Sequence, residues 1–195
     1  MSTQTCFDAL HRQEDPFGYR SRWYEARKRA LLLASLPRQR YRSGWELGCS
    51  NGVLTGALAP RCDRLLATDI SPRAVELARR AVRAHPHVQL QCARHPDQLP
   101  PGRFDLIVCS EMAYYLPPAA VARLADGLHA TLDQDGLLVA CHWRPAFDDR
   151  RCSTDAVHHT MGQGLHQVFG YRDADIVLEG WMRAPHSLAA EEGLR

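Results

Sequence analysis

Residues 46 to 52, Glu46-Leu47-Gly48-Cys49-Ser50-Asn51-Gly52, close a short apolar run and open a helical pattern, and Asp69 ends the next apolar run seventeen residues beyond Gly52. Gly48 permits a tight backbone turn beneath a ligand, and Gly52 lets the following helix start close to a sheet. A carboxylate at the tip of the neighbouring strand can accept both hydroxyls of a ribose, so the pair predicts a nucleoside site at the carboxyl edge of a parallel sheet. Neither the Gly-x-Gly-x-x-Gly of a pyrophosphate-facing helix nor the Gly-Lys-Ser/Thr of a phosphate loop is present.

The rest of the chain repeats the unit. Apolar runs at 44–47, 65–68, 88–92, 104–109 and 136–142 alternate with amphipathic segments, which predicts an α/β fold with a doubly wound parallel sheet and helices on both faces. Ser71-Pro72 is a helix start, with Ala74, Val75, Ala78 and Val82 at helical spacing behind it. Val121, Leu124 and Leu128 form another stripe, which ends before a turn at Asp133-Gln134-Asp135-Gly136. Two further strand-like runs, Leu165 to Tyr171 and Asp175 to Arg183, are joined by Arg172-Asp173-Ala174, a link too short for a crossover, so they pair antiparallel. Residues 23 to 36 read as a helix ahead of the first strand.

A chain of 195 residues, 45% apolar and 24% charged, fits a single domain over 1–195. The net charge of +2 supplies no general attraction for nucleic acid, although residues 12 to 42 hold nine Lys/Arg against three acids. Seven cysteines, an odd number without a C-x-x-C pair, read as reduced thiols. Met1 to Cys6 has neither a charged nor an apolar leader region, and no run approaches the roughly 18 apolar residues of a membrane helix. A cytoplasmic protein without membrane or nucleic-acid partners is expected, as monomer or homodimer. No metal is expected either: His158 and His159 are adjacent and point apart on a helix, and His85 and His87 flank a proline.

Glu46-x-Gly48-x-x-x-Gly52 resembles motif I of the class I S-adenosylmethionine-dependent methyltransferases, with Ser50 where that family usually has a third glycine. Phe104-Asp105-Leu106-Ile107-Val108-Cys109-Ser110-Glu111-Met112-Ala113-Tyr114-Tyr115-Leu116 resembles its motif IV, and Leu132 to Val139 stands in register behind it. Within the family the chain is similar to the nodulation protein S group, N-methyltransferases acting on the free amine of a deacetylated chitooligosaccharide. Asp15-Pro16, Tyr24-Glu25-x-Arg27, Glu46-Leu47-Gly48-Cys49, Leu58-Ala59-Pro60-x-Cys62-x-Arg64-Leu65 and Ser110-Glu111-x-x-Tyr114-Tyr115-Leu116 carry that likeness, over residues 15 to 140. Beyond Cys141, His142-Trp143-Arg144-Pro145 and Asp155-x-x-His158 depart from it.

The resemblance implies a Rossmann-like seven-stranded sheet, five parallel strands plus an antiparallel C-terminal pair, and S-adenosylmethionine as cofactor with S-adenosylhomocysteine as product. It divides the domain into an N-terminal helical lid (12–42), a cofactor core (43–143) and a substrate-side insertion with the last strand pair (144–195). Glu46 is then expected to orient the turn or the methionine amine, Asp69 to hold the ribose, Ile70 to pack on the adenine, and Gly48, Cys49, Ser50, Gly52, Ser110 and Tyr24 to complete the cofactor site. The acid that the family often places after the third strand is missing, so the adenine contact falls to backbone at Ala93, with Asp97 as a polar alternative. Glu111, Tyr115 and His142 lie near strand ends on the acceptor side, Tyr114 beside them, and His142 is the candidate general base. The expected reaction is methyl transfer to a small-molecule amine, such as an amino sugar; transfer to oxygen or sulfur, or cofactor binding without turnover, are the alternatives. The Asn/Asp-Pro-Pro-Tyr signature of nucleobase and glutamine amide methylation is absent, Ser110-Glu111-Met112-Ala113 standing in its place.

Overall fold

The computed structural model describes residues 3–195; Met1 and Ser2 of the expected domain lie outside the described residues. Strand β1 (Tyr41–Leu47) is flanked by β2 (Cys62–Asp69) and β4 (Phe104–Ser110), with β3 (Val88–Cys92) outside β2 and β5 (Leu132–Trp143) outside β4, all parallel. Then β7 (Ile176–Met182) pairs antiparallel with β5, and β6 (His166–Arg172) with β7. The order β3-β2-β1-β4-β5-β7-β6 reverses direction between β1 and β4, the switch point where open α/β sheets receive ligands at their carboxyl ends.

Strand alternation divides the core into two layers. Ile107 and Cys109 point to the face covered by helices α5 (Pro118–Thr131) and α6 (Thr154–Gly162), through Val121, Leu124, Leu128 and Val157. Leu106 and Val108 point to the other, covered by α2 (Trp23–Ser35) and α3 (Val53–Leu58), through Leu32 and Leu58. All seven residues of β4 are buried, as expected of a central parallel strand. Helix α4 (Pro72–Ala81) follows β2, and Ser71 caps it by accepting the Ala74 amide hydrogen at 3.1 Å.

The N-terminus differs from its expected form. Helix α2 packs Leu32 into the core, so it is a wall of the domain rather than a lid. An additional helix, α1 (Thr3–Leu10), stands before it, too short and too sparsely apolar to show a stripe. The expected turn at 133–136 is the irregular start of β5, where the register against β4 shifts between Phe104 and Leu106. A short helix, α7 (Leu188–Glu191), ends the chain.

Gly52 has φ +79°, and a Cβ there would meet the Ala78 Cα of α4 at 2.7 Å. Left-handed strain and a backbone clash combine, so Gly52→Ala should lower unfolding free energy by about 2–4 kcal/mol. Urea denaturation measures this, and an unchanged midpoint would contradict the close approach of α3 and α4.

Candidate active site

The turn after β1 is held open by left-handed backbone at Gly48 (φ +72°), Ser50 (φ +47°) and Gly52. The amides of Gly48 and Cys49 donate to the Thr68 carbonyl at 2.8 and 3.0 Å. Ser50 N–H then reaches Asp69 Oδ2 at 2.9 Å, and Ser71 N–H reaches Oδ1 at 2.9 Å. Burial raises the Asp69 pKa, against the amides of Ser71 and Ser50. Each oxygen takes one of these amides and keeps acceptor capacity for a hydroxyl. Asp69, Ile70, Ala93 and His95 line one side of a cavity of about 860 Å³ that opens to solvent, with Met112 and Leu116 among the residues opposite. The Ala93 amide is not free, however, because it donates to the Asp69 carbonyl at 2.8 Å. Asp97 lies at the surface against Arg123. The side chain presented beside Ala93 is instead His95, hydrogen-bonded to Thr68 Oγ1 at 2.9 Å and pushed down to about 4 by burial.

A second cavity adjoins the first at Gly48 and Ser50 and is lined by Glu46, Arg29, Cys49 and Ser110. Glu46 is 1% exposed, and its Oε2 has no hydrogen-bond partner among the described residues. Burial pushes its carboxyl up to about 8, against the Thr55 hydroxyl. A buried, unpartnered carboxylate oxygen is the complement of a cationic donor. Arg29, which donates through Nη1 to the carbonyls of Tyr19 at 2.9 Å and Glu25 at 3.2 Å, brings a guanidinium to the same cavity. One acid and one fixed cation suit the two ends of an amino acid.

On the far side of Glu111 the surroundings become aromatic. Tyr24, Tyr114, Tyr115, Trp143 and Phe147 line a wider cavity together with Glu25, Glu111 and Asp175. Tyr24 therefore belongs to this side and not to the cofactor side, because its ring packs edge-on against Trp143, 5.0 Å between centroids. Glu111 sits at φ +57° and lines all three cavities. Its Oε1 accepts from Lys28 Nζ at 3.1 Å, and its Oε2 accepts from Trp143 N–H at 3.3 Å and from the Tyr114 hydroxyl. Lys28 also pairs with Glu25 at 2.9 Å. Burial opposes the charge on Lys28, but Glu111 and Glu25 outweigh it and raise its pKa; Glu25 is itself raised by burial, against Lys28.

His142 is a correction. The imidazole is 0% exposed, because α6 covers the end of β5, and its Nε2 accepts the Ala113 amide hydrogen at 3.3 Å. A ring whose lone pair is already bonded, and which burial holds well below the usual histidine pKa, cannot serve as a base toward an acceptor. The Ala113 bond places the His142 proton on Nδ1, from which it reaches His158 Nε2 at 3.0 Å; His158 Nδ1–H then reaches Glu179 Oε2 at 2.7 Å. Sequence reading missed His158 and Glu179, which lie on α6 and β7, and missed Lys28, Arg29 and His95. For Lys28 a signal existed: Tyr24, Glu25 and Lys28 share one face of α2 at i, i+1 and i+4.

Residues ahead of α2 close the first cavity. His11 Nδ1–H donates to the Phe7 carbonyl at 2.7 Å, so His11 Nε2 accepts the Ser50 hydroxyl hydrogen at 2.8 Å. Asn51 donates to the Glu14 carbonyl and Asp15 Oδ1, both at 3.0 Å, and Ser71 Oγ meets Asp8 Oδ1 at 2.5 Å. Phe7 stands edge-on to Tyr115, 5.1 Å between centroids.

A glycine turn, a strand-end acid and an amino-acid-sized cavity at the switch point of a seven-stranded sheet define a nucleoside-binding α/β domain of the methyltransferase type. The family profile described as Methyltransferase domain matches residues 45–136. A solved Pseudomonas syringae structure assigned as a methyltransferase is 48% identical, with 82% of this chain and 99% of that one covered and a TM-score of 0.74. Nodulation protein S of Rhizobium tropici is 31% identical over 65% of this chain and 55% of the relative, and that of Sinorhizobium fredii is 32% identical over 61% and 57%. The chain thus spans little more than half the length of these curated relatives. The N-methyltransferase NodS of Bradyrhizobium japonicum WM9, solved with S-adenosylhomocysteine, shares the fold at a TM-score of 0.85 and 24% identity, over 93% of this chain and 98% of that one. The chain belongs to the S-adenosylmethionine-dependent methyltransferase family, whose cofactor the site's acid, cation and strand-end carboxylate fit. Among the described residues no helix is long and apolar enough to cross a membrane.

His142→Ala strands the Ala113 amide and the His158 ring in the interior and should lower unfolding free energy by about 2–4 kcal/mol. His142 and His95 are both held neutral in the folded chain and charge on unfolding below the ordinary histidine pKa of about 6.5. The unfolded state then binds more protons, so this contribution is complete above pH ~6.5 and is lost as pH falls toward 4. The raised carboxyl of Glu46 acts in the opposite sense over this range but is common to wild type and variant, so the difference in urea unfolding free energy between wild type and His142→Ala should shrink from pH 7 to pH 5, and a difference constant with pH would contradict a buried neutral His142.

Proposed function

We propose that the chain transfers the methyl group of S-adenosylmethionine to the nitrogen of a small amine, an amino sugar or a related metabolite. The observation that carries this is the buried Glu25–Lys28–Glu111 group, two carboxylates sharing one ammonium, at the border of the cofactor and aromatic cavities. With all three charged it holds one negative charge in excess, beside a place where an ammonium product forms. Aromatic faces at Tyr24, Tyr115 and Trp143 add cation–π attraction, worth about 0.5–2 kcal/mol.

When bound, the cofactor supplies a methyl already activated on a sulfonium. Asp69 would hold the ribose, Ile70 and Met112 would flank the adenine, Glu46 would receive the methionine amine and Arg29 its carboxylate. Gly48 and Ser110 would border the sulfonium end near Glu111. The residues of the aromatic cavity then align the acceptor lone pair behind the methyl and exclude water. Methylation of an amine would leave an ammonium beside Glu111, whose extra proton would pass to solvent. Transfer to a hydroxyl calls for a base at the cavity wall, whereas an amine that arrives unprotonated already presents its lone pair. His142 is buried, and Glu111 is bonded to Lys28, Tyr114 and Trp143, so the amine is the acceptor that this wall suits.

Two measurements test the reading. Glu46 is protonated below about pH 8, and a bound ammonium favours its carboxylate, so S-adenosylhomocysteine binding at pH 7 should release a proton and tighten as pH rises toward 8. Calorimetry in buffers of different ionisation enthalpy detects that proton, and Glu46→Gln should abolish it; release that persists in the variant removes Glu46 from the amine. For the acceptor, a panel of amines, phenols and thiols is assayed by methyl transfer, and a profile confined to oxygen or sulfur acceptors defeats the nitrogen reading. Glu111→Gln removes the excess charge and should lower kcat/KM for an amine about tenfold or more, on the scale of one screened charge pair of ~1–4 kcal/mol.

A further inference from the structure

The His142–His158–Glu179 chain lies outside all the roles assigned above, although it is built of three titratable side chains from three separate elements. It starts at a carboxylate on β7 that borders a surface cleft lined by Asp155 and Arg172, crosses α6, and ends on β5. Its inner end is a backbone amide, Ala113 N–H, not a cavity. No proton can pass such an end to a substrate, so the chain is not a relay for acid–base chemistry. What it does fix is direction: Glu179 only accepts and Ala113 N–H only donates, so both rings carry their proton on Nδ1.

Ala113 belongs to the turn that follows β4. On one side of it stands Glu111, held in left-handed backbone, and on the other Tyr114 and Tyr115, whose rings enter the acceptor cavity. The Tyr114 ring also lies edge-on to His142, 5.1 Å between centroids. A strained turn persists only where its surroundings over-determine it.

We propose that His142, His158 and Glu179 are positioning residues for methyl transfer, fixing through the Ala113 amide the turn that presents Glu111, Tyr114 and Tyr115 to the acceptor. The inference rests on the methyltransferase reading and adds to it a specificity device remote from both ligands. If His158 is replaced, the His142 proton is free to move to Nε2, where it opposes the Ala113 N–H and releases the turn. Asp69 and Glu46, on β2 and β1, are held independently of this turn, although Met112 and Tyr115 of the turn also border the cofactor cavity.

The test compares His158→Phe, which keeps a ring against Trp181, with His158→Gln, whose amide can still accept from His142 and donate onward. For His158→Phe, kcat/KM for an amine acceptor should fall about tenfold or more, while the dissociation constant of S-adenosylhomocysteine, most of whose contacts lie on β1 and β2, should rise by no more than about threefold. His158→Gln should recover at least about threefold of that loss, and Glu179→Gln, which still presents an acceptor, should cost less than Glu179→Leu. A lower melting temperature with acceptor kinetics unchanged would overturn the proposal, as would acceptor and cofactor affinity falling by the same factor. Nitrogen-15 chemical shifts of the wild-type imidazoles decide without any variant, since His142 protonated on Nε2 is incompatible with the proposed chain. A wild type that binds S-adenosylhomocysteine yet methylates no amine defeats the functional reading and leaves that tautomer measurement to judge the positioning role.

Discussion

Everything at the carboxyl edge of the sheet is tied to the Asp69 carboxylate. One oxygen takes the Ser50 amide and so pins the turn after β1; the other takes the Ser71 amide and so pins the start of α4. Charge-assisted bonds of this kind are worth roughly 1.5–3 kcal/mol each. Burial works against the charge, and the two amides keep the group usable as an acceptor of hydroxyl hydrogens. Ser71 extends the arrangement, because its hydroxyl caps α4 and also meets Asp8 of α1. A single side chain thereby sets the spacing among the glycine turn, the helix behind it and the N-terminal segment above.

The second organising constraint is electrostatic. Taking two carboxylates and one ammonium out of water is unfavourable unless they pair closely, and Lys28 meets both acids within 3.1 Å. An odd charge left over inside a protein is normally a defect. Here the group faces a cavity walled by aromatic rings, which are neutral yet attract cations, and under the proposed function a charge left over there would act as a preference about what enters.

Much of this was legible in the sequence because it depends on local pattern. Apolar runs placed the strands, Ser71-Pro72 placed a helix start that the capping bond realises, and the short Arg172-Asp173-Ala174 link settled the antiparallel pair. Strand ends were less legible: β1 and β5 begin ahead of the apolar runs, because Tyr41 and Ser43 already pair with β2 and Leu132 already pairs with Phe104. Helix α1 has one turn's worth of apolar side chain, and its partners, Ser71 and Tyr115, are far away in sequence. His142 shows the same limit more sharply. A residue just past an apolar run is expected at an open sheet edge, but whether that edge is open was decided by α6 and β7, whose His158 and Glu179 lie sixteen and thirty-seven residues on. The pairing of Glu46 with an empty acceptor site, by contrast, follows from its place at the end of β1, which sequence did locate.

Ser50 stands where glycine would adopt its backbone angle more easily, and its hydroxyl hydrogen goes to His11. Two positions thirty-nine residues apart are thus held to each other by one bond. With glycine at 50 the turn loses its strain and His11 Nε2 loses its hydroxyl partner, leaving the histidine only its Nδ1 bond to the Phe7 carbonyl. Among homologous chains, serine at the first position should therefore travel with a hydrogen-bond acceptor at the second, and glycine should leave that second position free to drift. The departure from the family's glycine pattern is in this sense half of a pair, whose other half lies in the segment ahead of α2 that borders the Asp69 cavity.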